Sequence, residues 1–549
     1  MLIHVKGSEH SNTILALAGA IFVIPFLLFA STAGSLADRY SKKTLVFVTR
    51  IAELCIVFIG VIAFALKSAF LGYSVLFLMA TQSSIFSPAK YGIIPEIVKK
   101  QKISHYNGVI TATTYLAIII GTFLGSFLTD ITAKNFILAS FSTVIIAICG
   151  FLFSFGIPKT KPQAREKKVS TKFLSDIYRS LRKSLETRYL FFVLIFGAYF
   201  LFLGSYTQLN IIPYAMQSLG LSEIEGGYLF LMTAIGIGIG SFLAGRLSGR
   251  DAELGFIPLS ALGITFLTLF LFIFSFSLPF VVLLLVLMGF LGGFYIVPVD
   301  AFIQTASPDE DRGANVATSN FLSFTGVVLS SGLLALLGNG FGLTAAQGFL
   351  VIGMITFLLT IILCLAMADQ VLRLIVSSGA HFFWKLTIKG RKNLRLLPPA
   401  LLIGERTSWL DTIIVMATLP RMIRYIVPIY GRFVKGRSFI YRLLRLIPID
   451  IKHFSLLGDE TLEEVKKELK KGHSVCLMLP VELATEELNE WEAKIESLLE
   501  RADFSIIPIH IIRTPPKENA TLYQQLKTLF DFPITVAYGN KQEYTHSTS

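Results

Sequence analysis

The sequence predicts an all-α membrane domain followed by a cytosolic α/β domain, and three observations carry that reading. Eleven apolar runs of about 20 residues suit a hydrocarbon core about 30 Å thick. Only 15% of the 549 residues are charged, against about 25% in a soluble protein. Near residue 380 the apolar runs give way to short β-type stretches and amphipathic segments. The membrane domain is expected over 1–370, with halves 1–158 and 189–370 joined by a basic linker at 159–188. The α/β domain is expected over 380–549.

The predicted spans lie near 14–36, 44–66, 70–90, 108–128, 136–156, 189–209, 226–247, 256–275, 279–300, 318–338 and 345–367. Lys and Arg crowd 39–43, 99–102 and the linker (Lys159, Lys161, Arg165, Lys167, Lys168, Lys172, Arg179, Arg182, Lys183). Alternate loops are short and nearly neutral, so the basic loops and the C-terminus are assigned to the cytosol. The net charge of +13 is spread among apolar runs; it fits loops held on anionic lipid rather than nucleic acid. Cys55, Cys149, Cys364 and Cys476 lack metal or redox spacing and read as small hydrophobes. The first apolar run is a full span with no cleavage-site pattern, so no signal peptide is expected.

After the first span comes Gly34-Ser-Leu-Ala-Asp38-Arg39-Tyr-Ser-Lys42-Lys43. Gly34 permits close helix approach, Asp38 is expected to cap or pair at a helix start, and Arg39, Lys42 and Lys43 stay in the cytosol. Ala33–Ser41 returns as Gly240–Ser248, Phe86–Pro95 is echoed from Tyr295 to Gln304, and Asn107 has a counterpart in Asn315. An offset of about 207–210 residues marks two related halves. The decamer resembles the signature loop of the major facilitator superfamily, which follows the second of twelve helices. That resemblance implies a major facilitator fold with the first helix missing here and residues 1–13 as the loop after it.

Ionisable groups inside spans are costly and are functional candidates by default. They are Arg50 and Glu53, one turn apart; Lys90 and Tyr91, ending the third span before Glu96; and Asp300 and Gln304, ending the ninth. Arg50 and Glu53 can equally pair with each other, and Lys90 can anchor a helix end. Lys90 and Asp300 hold related places in the two halves, where together they would grip the phosphate and amine of a zwitterionic headgroup. Pro88, Gly92 and Pro95 are expected to break the helix and free backbone groups there. The run Phe86-Ser-Pro88-Ala-Lys90-Tyr91-Gly-Ile-Ile-Pro95-Glu96 resembles the signature of bacterial lysophospholipid transporters, as do Gly292–Pro298 and the Arg312-Gly313…Asn315 run. This implies inward flipping of a single-chain phospholipid across the bacterial inner membrane, with membrane lipid around it.

Beyond 380, Ala400–Ile403, Arg424–Pro428, Val475–Leu479 and Phe504–Ile509 read as buried strands. Thr461–Lys471 and Glu486–Ala502 read as amphipathic helices. The order of elements, with Thr407-Ser408-Trp409-Leu410-Asp411 and Leu446-Ile-Pro-Ile-Asp450, resembles the glycerolipid acyltransferase fold. That family's motif is Asn-His, four residues, then Asp. Aligned on Asp411, the histidine place holds Arg406 and the asparagine place Glu405. Arginine is permanently protonated and cannot act as a base. The family's Phe-Pro-Glu-Gly motif reads Leu479-Pro480-Val481-Glu482, and His453 reaches an acidic residue only at Asp459, one position too far. The resemblance therefore implies a degenerate, acyltransferase-like domain, with Asp411 a fold residue or, in an active variant, the catalytic one. Acyl-carrier protein or acyl-CoA is an acyl donor only in that active case, and a separate acyltransferase is a candidate partner. Arg432, Lys435, Arg437, Arg442 and Arg445 form a basic stretch suited to anionic lipid or to plain solvation. No nucleotide-cradling loop or metal-ligand cluster is present, so no cofactor is inferred. The readings weighed are a lysophospholipid transporter, a transport-coupled acyltransferase in phospholipid remodelling, a generic solute exporter and an inactive scaffold.

Overall fold

The computed structural model describes residues 11–132, 135–164, 166, 173–248, 252–383, 386–390, 400–406, 409–419, 423–429, 446–450, 459–470, 473–480, 504–512, 534–538 and 542–544. The chain divides into two compact units, 1–366 and 367–549. The first is helical: α1 (Ser11–Leu28), α2 (Ala30–Arg39), α3 (Lys42–Ala65), α4 (Ala69–Gly92), α5 (Ile94–Ile97), α6 (Ile103–Ile131), α7 (Phe136–Ser154), α8 (Phe173–Ser184), α9 (Leu190–Leu219), α10 (Glu223–Leu247), α11 (Phe256–Ile273), α12 (Leu278–Ala306), α13 (Arg312–Ala335) and α14 (Ala345–Ala366). Every one of the eleven apolar runs falls on a helix. Among the described residues, nine helices are long and apolar enough to cross a membrane, or ten if the bent pair α1–α2 is one span. That pair turns by 46° four residues after Pro25. Pro25 lacks the N–H that would bond one turn back, the usual origin of a sharp kink.

Two equivalent crossings join the halves, α2 on α13 and α10 on α6. The repeated segments thus occupy matching places, each packed on the other half. In lipid no hydrophobic gain drives helices together, so close packing of small residues does. A Cβ on Gly34 would lie 2.9 Å from the Gly313 carbonyl oxygen. A Cβ on Gly108 would lie 2.5 Å from the Ser241 oxygen and 2.8 Å from Gly245 Cα. Both seams therefore run backbone against backbone. One difference between the repeated segments changes the chemistry of the crossing: Asp38 of α2 corresponds to Gly245 of α10.

The second unit opens with α15 (Ala368–Phe383), two residues after the last span, so the stretch 371–379 expected between the domains is helical. It contains β1 (Leu386–Lys389), β2 (Ala400–Arg406), α16 (Trp409–Thr418), β3 (Arg424–Ile429), β4 (Leu446–Asp450), α17 (Asp459–Lys470), β5 (Val475–Pro480), β6 (Phe504–Ile512), β7 (Ile534–Tyr538) and β8 (Gln542–Tyr544). The sheet order is β1-β7-β6-β2-β5-β3-β4, with β8 on β6. Strands β6, β2, β5, β3 and β4 are parallel, and β7 runs antiparallel to β6. Ala400, Leu402, Tyr425, Cys476 and Ile507 are fully buried, as expected for parallel strands covered on both faces. Burial pushes the Cys476 thiol up, in keeping with a packing role. The four strands read from sequence are present; β1, β4, β7 and β8 are additional. The stretch Glu486–Ala502 and the basic stretch Arg432–Arg445 lie outside the described residues.

Substituting Gly108→Leu or Gly245→Leu should force the α6–α10 seam apart and destabilise the fold by about 1–3 kcal/mol, the usual cost of overpacking. Gly204→Leu, where an added Cβ meets nothing within 4 Å, should be near neutral. Thermal melting in detergent, followed by size exclusion, compares the three.

Candidate functional site

The residues singled out on α4 and α12 converge on a cavity of about 360 Å³ between the halves. Lys90, Tyr91, Asp300 and Gln304 all line it, with Thr111, Thr114 and Tyr115 of α6 and Asn320 of α13. Lys90 Nζ donates to Thr114 Oγ1 at 3.1 Å and lies 5.2 Å from the Tyr91 ring centroid. Lys90 and Asp300 are close enough to interact through their charges. The amides of Asn107 and Gln304 exchange two hydrogen bonds, 3.0 Å and 2.8 Å long, from α6 to α12. Both are buried, and Arg312 Nε donates to the Gln304 carbonyl at 2.8 Å. Asn320 Nδ2 donates to Ser87 Oγ at 2.9 Å, again across the halves. Phe26 stacks on Phe324 with centroids 3.8 Å apart, giving the cavity an aromatic wall built from α1 and α13.

Two sequence expectations change here, and a third gains its partner. Pro88 does not break the helix: α4 runs through it to Gly92, and α5 restarts at Ile94 with Pro95 in its first turn. One missing N–H is tolerated where neighbouring helices hold the chain. Arg50 and Glu53 do not line the cavity but form an ion pair at 2.6 Å, the guanidinium lying 4.7 Å from the Phe86 ring centroid. Paired, neither carries an uncompensated charge in lipid. Asp38 sits in the last turn of its own helix, and the helix start that it caps belongs to the other half. Its carboxylate accepts from Gly313 N at 2.6 Å and Ala314 N at 3.2 Å, so it caps α13 of the opposite half. A Cβ on Gly313 would strike Asp38 Oδ1, which explains the glycine after Arg312.

The rest of the signature loop is built around that cap. Lys42 is fully buried and pairs with Glu96 at 2.5 Å, its aliphatic stem passing Gly92, where a Cβ would lie 3.1 Å from Lys42 Cε. Gly92 thereby links the two sequence signatures. Lys43 N donates to Thr160 Oγ1 at 3.3 Å, Lys43 Nζ to the Phe155 carbonyl at 3.4 Å, and Ala164 N to the Asp38 carbonyl at 3.0 Å. Arg39 is half-buried with its guanidinium 5.5 Å from the Tyr40 ring centroid. The linker helix α8 touches both halves: Ser31 Oγ donates to Asp176 at 2.7 Å, and Lys183 pairs with Asp311 at 3.0 Å.

In the second unit the parallel register sets Glu405 opposite Leu479 and Arg406 opposite Pro480. Residues 405–406 and 479–480 therefore meet at adjacent strand ends. Asp411 is buried in the first turn of α16, where a carboxylate suits the helix N-terminus. The side chains of Glu405 and Arg406 lie outside the described residues.

Sequence reasoning treated Asn107 only as a repeat marker and passed over Thr111, Thr114 and Tyr115. Their spacing, 107, 111, 114 and 115, traces one face of a helix and was the available signal.

The family model described as Major Facilitator Superfamily matches residues 3–209 and 194–444. The lysophospholipid transporter LplT of Yersinia pestis (strain Pestoides F) is 28% identical over 332 residues, covering 60% of this chain and 78% of the relative. LplT of Yersinia pseudotuberculosis serotype O:3 gives the same figures. Among solved structures, the human organic anion transporter MFSD10 aligns with a TM-score of 0.54 at 15% identity, covering 63% of this chain and 82% of that one. The E. coli fucose:proton symporter FucP aligns at 0.53 and 14%, covering 64% and 90%. These two likenesses concern the fold alone.

Removing one partner of the buried Lys42–Glu96 pair, by Lys42→Met or Glu96→Gln, should destabilise the protein by about 3–5 kcal/mol through the charge left behind. Combining them should recover most of that loss, and a double-mutant cycle on thermal unfolding measures the recovery.

Proposed function

We propose that this chain, which belongs to the Major Facilitator Superfamily, moves lysophospholipid across the bacterial inner membrane by alternating access. The observation that carries the reading is the cavity that sets Lys90 near Asp300 under the Phe26–Phe324 stack. A cation and an anion in one apolar-walled site fit a phosphate and an amine joined to a single acyl chain. The 28% identity to proteins named lysophospholipid transporters supports the same substrate class. At about 360 Å³ the cavity suits a headgroup and glycerol, with the acyl chain lying along the aromatic wall.

The residues divide the work. Lys90, held by Thr114, takes the phosphate, Asp300 the amine, and Tyr91 adds a phenol beside the lysine. Arg50 and Glu53 stand one layer back and hold Phe86. The Asp38 cap and the Asn107–Gln304 pair hold the signature-loop side shut, while the Lys42–Glu96 pair braces the loop within the first half. For the headgroup to leave on that side, taken as cytosolic from the positive loops, the two contacts between the halves must part. The binding energy of the headgroup is what offsets them.

A second reading concerns the α/β unit, and the meeting of residues 405–406 with 479–480 favours it. The domain is read as acyltransferase-like with Arg406 at the place of the family's catalytic histidine, so it receives or senses lipid rather than acylating it. With acyl-CoA or acyl-carrier protein as donor, an active domain would instead convert the incoming lysolipid to diacyl lipid.

Uptake of radiolabelled lysophosphatidylethanolamine by spheroplasts lacking their own transporter and acyltransferase tests both readings. Lys90→Gln and Asp300→Asn should each cut uptake tenfold or more at equal membrane abundance, and wild-type uptake by either variant would sink the cavity assignment. Thin-layer separation should show unconverted lysolipid. Diacyl product abolished by Asp411→Ala would reverse the reading of the domain as non-catalytic.

A further inference from the structure

Three threonines lie close together near the start of α6, and they behave differently. Thr113 Oγ1 donates to the Val109 carbonyl at 2.8 Å, and Thr114 Oγ1 to the Ile110 carbonyl at 2.6 Å. Such back-bonding one turn earlier is the ordinary resting place of a threonine hydroxyl in a membrane helix. Thr111 is 5% exposed, lines the central cavity, and its Oγ1 has no hydrogen-bond partner among the described residues. A buried hydroxyl without a partner is costly and calls for one.

Its level in the cavity says what that partner is. The Asn107–Gln304 amide pair fixes α6 and α12 at a common height. Four residues along each helix, a rise of about 6 Å, bring Thr111 on α6 and Asp300 on α12 to the next layer. Lys90 meets Thr114 another three residues along α6. The cavity is therefore layered: amide floor, then Thr111 with Asp300, then Lys90. With phosphate at Lys90, the group that reaches Thr111 and Asp300 is the far end of the headgroup.

We propose that Thr111 is a specificity-determining residue whose hydroxyl oxygen accepts an N–H from a primary ammonium held by Asp300. This rests on the lysophospholipid reading. Asp300 supplies charge, which a primary and a quaternary amine satisfy alike. Thr111 counts donors: a primary ammonium has N–H groups for both oxygens, and a trimethylammonium has none. A site built to hydrogen-bond a substrate group rejects the analogue that lacks it.

The test measures uptake of lysophosphatidylethanolamine, its N-methyl and N,N-dimethyl derivatives, and lysophosphatidylcholine, all with one acyl chain, by wild type, Thr111→Val and Thr111→Ser. Valine keeps the shape and removes the oxygen; serine keeps the oxygen. Wild type should prefer the primary amine to the quaternary one by at least tenfold. Thr111→Val should lose roughly tenfold of that ratio, about 1.4 kcal/mol, and Thr111→Ser should retain it. Each ratio is internal to one variant, so it does not depend on how much protein folds. An unchanged ratio in Thr111→Val, or no headgroup preference in wild type, overturns the role of Thr111 while leaving the transporter reading intact. No uptake of any lysolipid by wild type overturns the transporter reading, and the proposal with it.

Discussion

A carboxylate of one half seated on a helix end of the other is the contact on which the membrane unit depends. Asp38 accepts from two backbone N–H groups of α13, groups that would otherwise face the seam without partners. The anion also meets the positive end of the helix dipole. Its position requires glycines on both sides. Gly34 lets α2 reach the first turn of α13, and Gly313 leaves space for the carboxylate. The same residue's carbonyl holds Ala164 of the linker, so one aspartate joins both halves and the strand between them.

The second seam shows what the carboxylate adds. At the matching place on α10 stands Gly245, and α6 packs against it backbone to backbone. That crossing is held by packing; the Asp38 crossing is held by packing plus charge-assisted hydrogen bonds, which are about twice as strong as neutral ones. The two halves share a repeat yet close by different forces. The electrostatic seam is the one that a change in local charge can weaken, while the glycine seam serves as the steadier contact.

Much of this was legible in the sequence, for reasons that differ by element. The helices beneath the apolar runs follow from the length of those runs, because a bilayer imposes one scale on all of them. The cavity residues Lys90 and Asp300 were legible because charge is costly in lipid and each stands alone on its helix. Arg50 and Glu53 gave the same signal and turned out to be each other's partner, since a pair one turn apart satisfies itself locally. Thr111 was not legible: a threonine in a membrane helix carries no cost until its neighbours bond back to their own helix and it does not. The destination of Asp38 was equally hidden, because nothing local says that the helix it caps begins some 275 residues later. In the α/β unit, β2, β3, β5 and β6 were legible as short apolar runs, whereas Leu446–Asp450 entered only through its place in the order of elements and was not read as a strand.

On the proposed lysolipid reading, placement of the cavity beside the contacts between the halves is what lets a headgroup work the transporter. The Asn107–Gln304 pair is a single turn of α6 and of α12 away from Thr111 and Asp300, with no flexible segment between. A ligand that draws Asp300 toward Lys90 therefore pulls on the helix that carries Gln304. The contacts to be parted are a pair of amide hydrogen bonds and one helix cap, each worth about 1–2 kcal/mol in net terms. That sum is of the order needed to move a two-state equilibrium by two or three powers of ten. It is also within reach of a phosphate and an ammonium leaving water for a site of opposite charges. A latch held much more strongly would stay shut, and one held by packing alone would not sense the headgroup. The cation, the anion and the amide pair have to share two helices for binding to be felt at the seam.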